Sequence, residues 1–164
     1  MDIHPLTIAQ VVMLLAVANG APLVAKKVLG ERLSCPLDGG VTFVDGRRLF
    51  GRSKTVRGIV LAILLSALAA PVIGLSWSLG VVIGSAAMAG DLFSSYVKRR
   101  LDLAPSSRAT GLDQIPESLL PLLVCRGALA LSGPDIAICV AVFFVGELAL
   151  SGLLYKAHIR EQPY

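Results

Sequence analysis

About five apolar stretches, each close to the roughly 20 residues a helix needs to cross the hydrocarbon of a bilayer, follow one another along this chain. They fall at 6–24, 58–74, 79–97, 117–133 and 136–155. In hydrocarbon every backbone N–H and C=O must be satisfied internally, and a helix does this within its own segment. That many spans in 164 residues leave no room for a separate soluble domain. Hydrophobic residues make up 55% of the chain and charged ones 16%, outside the range of water-soluble domains. The expected fold is therefore an all-α polytopic membrane protein, with a single transmembrane domain over 1–164 and a bundle of about five transmembrane helices. The net charge of +4 sits in loops beside the spans, where lipid head groups and phosphates are the nearer partners. Nucleic acid is not an expected partner.

The polar segments order the chain. The first span has no cationic stretch ahead of it, so it reads as a retained helix rather than a removed signal peptide. Asn19-Gly20 and Pro22 lie near its expected end, and Asn19 is either a packing and hydrogen-bonding group or a ligand of something held at the interface. Segment 26–57 is long and turn-rich, with Pro36, Asp38-Gly39-Gly40, Asp45-Gly46 and Gly51, and is expected to form re-entrant or amphipathic pieces at the interface. Its Arg47, Arg48, Arg52, Lys54 and Arg57 are interleaved with Gly, Ser and Thr, a composition that brings backbone N–H groups and cations to phosphate oxygens. The plainer alternative is a basic flank that only sets topology. Gly46 and Gly51 have the separation of a phosphate-binding P-loop, but Arg52-Ser53 stands where that loop needs Lys-Ser/Thr.

Farther along, Pro71 marks a kink or an end, Trp77 an interfacial anchor, and Gly80-x-x-x-Gly84 a surface for close helix approach. The fourth span is interrupted by Pro121 and Arg126, and Arg126 is expected to pair with Glu147 across a hairpin about Gly133-Pro134. Lys and Arg are concentrated in 26–57, 98–115 and 156–164 and absent from the opposite side. The positive-inside rule then expects an integral, multi-pass protein of the cell membrane, with its N-terminus outside, its C-terminus cytoplasmic and its polar segments in the cytoplasm. Cys35, Cys125 and Cys139 have no metal or disulfide spacing and read as free thiols.

The most informative stretch begins where the third apolar run meets Gly90-Asp91 and leaves through Ser94, Ser95, Lys98, Arg99 and Arg100. Helical periodicity places Asp91, Ser94, Ser95 and Lys98 on one face with Arg99 beside them. A carboxylate inside an apolar span costs a few kcal/mol and marks a polar cavity or a functional site. Asp113 follows a loop that lets it fold back toward Asp91, and two carboxylates beside a basic cluster suit a hard cation with a polyphosphate.

Taken together, Asn19-Gly20, Pro36-x-Asp38, Asp45-Gly46-Arg47-Arg48-Leu49-Phe50-Gly51, Lys54-Thr55-x-Arg57-Gly58, Gly90-Asp91, Lys98-Arg99-Arg100 and Leu112-Asp113-Gln114 resemble the CDP-archaeol synthase family over nearly the whole chain. Ser95-Tyr96-Val97-Lys98-Arg99 is also similar to the start of the signature of the larger phosphatidate cytidylyltransferases, whose Lys-Asp, His-Gly-Gly and Asp-Arg elements are absent here. The resemblance implies transfer of CMP from CTP to the phosphate of a membrane lipid, archaeol-type or phosphatidic acid-like, with Mg2+ required and pyrophosphate released. It also implies five transmembrane helices with catalytic loops on the cytoplasmic side. On that reading Asp91 and Asp113 hold Mg2+. Lys54, Arg57, Lys98 and Arg99 neutralise the triphosphate, with Ser95 beside them, and Arg47 and Arg48 hold the lipid phosphate. Asn19, Asp38 and Asp45 orient the nucleotide or the loop, although turn formation alone also explains Asp38 and Asp45. Two other classes stay open: a CDP-alcohol phosphotransferase, whose Asp-Gly-x-x-Ala-Arg pattern is not met at Asp45-Gly46, and a non-enzymatic transporter or assembly partner. Self-association into a homo-oligomer is also open.

Overall fold

The structure, a computed structural model, describes residues 3–103 and 109–156, with side chains described through 152. Arg108 and Arg160, which belong to the basic segments counted above for orientation, lie outside the described residues. Five helices carry the described chain: α1 (Pro5–Leu29), α2 (Val56–Val72), α3 (Trp77–Arg100), α4 (Gln114–Cys125) and α5 (Gly133–Lys156). Three of them, α1, α3 and α5, are long and apolar enough to cross a membrane, whereas α2 has 17 residues and α4 only 12. This is the all-helical membrane architecture that the apolar runs predict.

The elements end where local chemistry ends them, and in places that differs from the spacing-based boundaries. Helix α1 runs past Asn19-Gly20 and Pro22 to Leu29. Proline removes one intrahelical bond, but Ala18, Ala21 and Ala25 stay buried on either side, and Lys26 and Lys27 sit in the last turn, where cations oppose the helix dipole. Helix α2 is capped by the Thr55 hydroxyl, which accepts from Gly58 N at 3.2 Å, and it ends just past Pro71. The Ser76 hydroxyl caps α3 through Leu79 N at 3.3 Å, so exposed Trp77 is the first residue of that helix. Helix α4 starts three residues before the expected 117 and stops at Cys125, followed by turns from Arg126 to Ala130.

Segment 30–55 contains no helix; it is a turn-rich loop with isolated antiparallel bridges at Pro36–Thr55 and Thr42–Arg48. Gly39, Gly40, Gly46 and Gly51 all have positive φ, and Pro36 adds a fixed turn, so the segment takes turns and short bridges in place of helix. The Arg126–Glu147 pair does not form either. Exposed Arg126 donates from Nε to its own turn at Leu131 O (3.4 Å), while the Glu147 charge acts on Glu117.

Packing follows the small residues. Gly80 and Gly84 lie against the backbone and side chains of α2 around Ile63, Ser66 and Ala67, so the Gly-x-x-x-Gly surface is the α2–α3 contact. Gly90 does the same for α4: a Cβ there would sit 2.8 Å from Glu117 Cα and overlap the Pro116 carbonyl. Leu14, Leu15, Ala18, Ala62, Ile83, Ala87, Leu122 and Cys139 form the buried core where the helices meet. At the end of the bundle away from the basic loop, the backbone N and Nδ1 of His4 engage the Asp135 carboxylate at 3.0 and 2.9 Å. There Gln10 also donates to Ile73 O at 2.7 Å. Cys35, Cys125 and Cys139 are free, as their spacing predicts. Replacing Gly90 with leucine is expected to push α4 off α3 and lower stability by about 1–3 kcal/mol or more, read as a depressed melting temperature in detergent. Gly20, whose added Cβ would meet nothing within 4 Å, is the matched site where alanine should be nearly neutral.

Candidate active site

The loop 30–55 folds over the end of the bundle where α1 stops, α2 and α4 begin and α3 ends. The Lys54 carbonyl accepts from Leu37 N at 2.8 Å and its N–H donates to Gly51 O at 3.3 Å. Thr55 then starts α2, and these bonds aim the Lys54 ammonium inward. Its Nζ lies 2.5 Å from both carboxylate oxygens of Asp91. The Ser94 hydroxyl returns to the Asp91 carbonyl at 2.9 Å, and Ser94, Ser95, Lys98 and Arg99 are all buried along α3. Lys98 Nζ in turn meets Asp113 Oδ1 at 2.7 Å just before α4. The Lys98 charge also acts on Asp91, so the two ion pairs form one alternating cluster.

Sequence reasoning missed Glu117. It stands in the first turn of α4, 6% exposed, and its carboxyl is within hydrogen-bonding reach of Asp91. The Gly90–Pro116 contact brings it there, because only a residue without a side chain lets the two backbones meet at that level. The available signal was the glycine directly before Asp91, which reads as space for a ligand but is filled by another helix. Asp91 and Glu117 are adjoining hard oxygen donors, and the described residues contain no group of three or more His, Cys, Asp or Glu side chains able to hold a metal. That donor set fits Mg2+, which commonly takes one or two protein carboxylates and completes its shell with phosphate and water oxygens.

Several candidates prove to be tied to the backbone. Asp38 is the centre of the loop: Oδ1 accepts from Gly40 N at 3.0 Å, and Oδ2 from Phe50 N at 3.3 Å and Gly51 N at 3.0 Å. Arg57 donates to the carbonyls of Gly30 and Arg32 and so closes the end of α1. Arg47 reaches the Arg99 and Arg100 carbonyls at 3.4 and 3.2 Å and pairs with Asp102 at 3.2 Å, satisfying the last carbonyls of α3. Asp45 accepts from Arg47 N at 3.1 Å and from Arg100 Nη1 at 2.7 Å. Asn19 donates to Leu15 O in its own helix at 3.1 Å. Arg47, Arg48, Gly51, Arg52, Arg99, Asp102 and Leu103 line a basic recess of about 310 Å³ at the end of α3; Lys54 and Asp91 are not part of its lining.

Burial works to raise the Asp38 pKa, but the N–H groups of Gly40, Gly51 and Phe50, together with the Arg48 charge, outweigh it and hold the carboxyl below its ordinary value. A depressed folded-state pKa stabilises the loop in full above the unfolded value near 3.9 and loses that effect as pH falls through the folded value. Asp38→Asn is therefore expected to melt below the unmodified protein at pH 7, with the gap closing below about pH 4. Melting curves across pH 3–7 test this, and a constant gap would show that the charge does not hold the loop.

Comparison with known proteins bears on what this cluster does. A CarS-like, CDP-archaeol synthase family model matches residues 6–78 and 68–164. The CDP-archaeol synthase of Pyrobaculum calidifontis is 32% identical over 153 residues, covering 90% of this chain and 91% of that protein. The corresponding protein of Sulfurisphaera tokodaii is 32% identical over 156 residues, covering 90% and 89%. A solved structure described as an intramembrane enzyme for archaeal membrane lipids biosynthesis superimposes with a TM-score of 0.70 at 28% identity, covering 84% of this chain and 90% of that one. The family model over 6–164, together with relatives 32% identical across 90% of the chain, places the chain in the CDP-archaeol synthase family.

Proposed function

We propose that this chain transfers the cytidylyl group of CTP to the phosphate of an archaeol-type membrane lipid, with Mg2+ as cofactor, giving a CDP-lipid and pyrophosphate. The observation that carries this reading is the inward-facing Lys54–Asp91 pair, joined by Glu117 and by Lys98–Asp113, at the basic end of a bundle from this family. The concentration of Lys and Arg in the loops at that end supports its facing the cytoplasm, where CTP is found.

In the reaction an oxygen of the lipid phosphate bonds to the α-phosphorus of CTP, the α–β phosphoanhydride bond breaks, and its electron pair leaves on pyrophosphate. A phosphate monoester has its second pKa near 6 and is largely dianionic at neutral pH, so the attacking oxygen needs no strong protein base. The work left to the protein is to hold two anions together. Lys54 and Lys98, each paired with a carboxylate, are placed to exchange that partner for phosphate oxygens, and Arg99 and Arg48, which line the basic recess, add further cations at the same end of the bundle. Ser95 is buried one turn beyond Asp91 on the same helix face. Asp91 and Glu117 would hold Mg2+, with Asp113 entering if Lys98 turns to the nucleotide; when bound, the ion supplies charge neutralisation and in-line alignment of the attacking and leaving oxygens. Asp38, Asp45, Arg47 and Arg57 act one step back, by fixing the loop and helix ends that carry these groups.

Lipid-dependent pyrophosphate release from CTP by the purified protein in detergent tests the proposal, with archaetidic acid-type and phosphatidic acid lipids compared side by side. Release is expected with the isoprenoid ether lipid, to be abolished by chelation and restored by Mg2+. Asp91→Asn should lower it by about 100-fold or more. Because removing one member of a buried ion pair also destabilises, its melting curve is recorded in parallel. Release with a folded Asp91→Asn protein at the unmodified rate would remove Asp91 from the mechanism, and release of CMP in place of pyrophosphate would reassign the reaction.

A further inference from the structure

One face of α3 leads out of the bundle to the loop segment 41–48, whose apolar tip has no part in the reaction assigned above. Val82, Ser85, Ala89 and Phe93 recur at helical spacing and are all exposed, which in a membrane-crossing helix makes this the lipid-facing stripe. The catalytic residues lie on other faces: Asp91 is half-buried, and Ser94, Ser95 and Lys98 are buried. Continued by one and two further turns, the exposed stripe reaches Tyr96 and Arg100 at the end of the helix. There it is capped by the hairpin 41–48.

The hairpin is held by Phe43 N to Arg47 O at 2.8 Å and Leu49 N to Val41 O at 3.3 Å. It is clamped to α3 by Arg100, which donates to Arg48 O at 2.8 Å and lies 4.9 Å over the Phe43 ring. Phe43 meets Tyr96 edge to face, with ring centres 6.0 Å apart, so the hairpin extends the aromatic, lipid-facing side of α3 toward the head groups. Its tip is apolar without being buried: Val41 and Phe43 are exposed and Val44 is 96% exposed. The one acid at the tip, Asp45, is neutralised by Arg100, while Arg47, Arg48 and Arg52 lie just behind. An apolar tip backed by arginines, at the rim of a lipid-facing helix, has the pattern of an interfacial anchor, with apolar side chains toward the acyl boundary and guanidinium groups at head-group level.

We propose that the hairpin 41–48 is a foot that rests in the interface of an anionic phospholipid leaflet at the outer rim of α3. The inference rests on the placement of the hairpin tip and does not require the reaction assigned above, although Arg48 is common to both. It also gives the exposed valines a role: they hold the neighbouring arginines at head-group depth, where anionic lipid accumulates.

Trp77 is the only tryptophan in the chain, which makes a clean test possible. Trp77→Phe carrying Val44→Trp, reconstituted in phosphatidylcholine–phosphatidylglycerol vesicles, places a reporter at the tip. Lipids brominated near the head-group end of the acyl chain are expected to quench at least about half of its emission, with little quenching by aqueous iodide, as fits a side chain about 5–10 Å into the boundary. Bromolipid quenching should weaken in wholly phosphatidylcholine vesicles. A second reporter, Val41→Trp in the same background, should behave likewise, which guards against a local distortion at position 44. Tip fluorescence open to iodide and untouched by bromolipid would overturn the proposal and leave the hairpin to solvent or a protein partner. Quenching equal in neutral and anionic vesicles would overturn the part played by the arginines.

Discussion

A carboxylate placed in an apolar bundle must be neutralised, and most of the polar architecture here follows from meeting that demand at Asp91. Lys54 supplies the charge from a loop, Lys98 from the next turns of the same helix, and Asp113 balances Lys98 in its turn. Alternating charges lower the cost of taking each one out of water, although desolvation keeps such a cluster from being a strong source of stability. In the proposed reaction its value lies in readiness. Ammonium groups already desolvated and aimed at carboxylates need little reorganisation to receive phosphate oxygens, which is the condition under which electrostatic catalysis is most effective.

That arrangement depends on precise backbone approach as much as on charge. Gly90 lets α4 lie against α3 so closely that Glu117 reaches Asp91, and Gly80 and Gly84 do the equivalent for α2. On the loop side, the Asp38 carboxylate gathers three backbone N–H groups and thereby fixes Gly51 and the segment that carries Lys54. Helix packing thus sets one half of the cluster and a hydrogen-bonded loop centre sets the other. The first half rides on α3 and the start of α4, whereas the second has no regular element at the point where Lys54 enters.

The helices were legible in the sequence because apolar length and Gly spacing report directly on burial in hydrocarbon. The line Asp91, Ser94, Ser95, Lys98 was equally legible, since periodicity alone puts those residues together. The ends of elements were harder. Pro22 read as lying near the end of a span closing at 24, but α1 runs on to Leu29, because buried alanines on both sides carry the helix through it. Pro36-x-Asp38 and Asp45-Gly46 were marked as turns, yet whether their carboxylates face substrate or backbone depends on how the loop closes, which spacing does not encode. Arg57 is one such case; it bonds to the end of α1, 25 and 27 residues earlier in the chain. Glu117 escaped notice because its role comes from a helix crossing rather than from any pattern along the chain. The family resemblance read from the residues agrees with the relatives found by comparison.

The shortness of α4 has a consequence for the membrane itself. Twelve residues make a rod of about 18 Å, well short of the roughly 30 Å of hydrocarbon, and the turn after it satisfies its own backbone through Leu129 N to Cys125 O and Leu131 N to Arg126 O. A self-satisfied turn can lie at apolar depth without exposing bare peptide groups. On that side of the bundle the lipid must either thin or leave the turn submerged, whereas around α1 and α5 a leaflet of ordinary thickness fits. Hydrophobic mismatch is therefore uneven around the circumference, and bilayer thickness becomes a variable that acts on one flank of the enzyme. Lipids of different chain length, including those built from this enzyme's own product, would load α4 first, and α4 is the helix that carries Glu117 to Asp91.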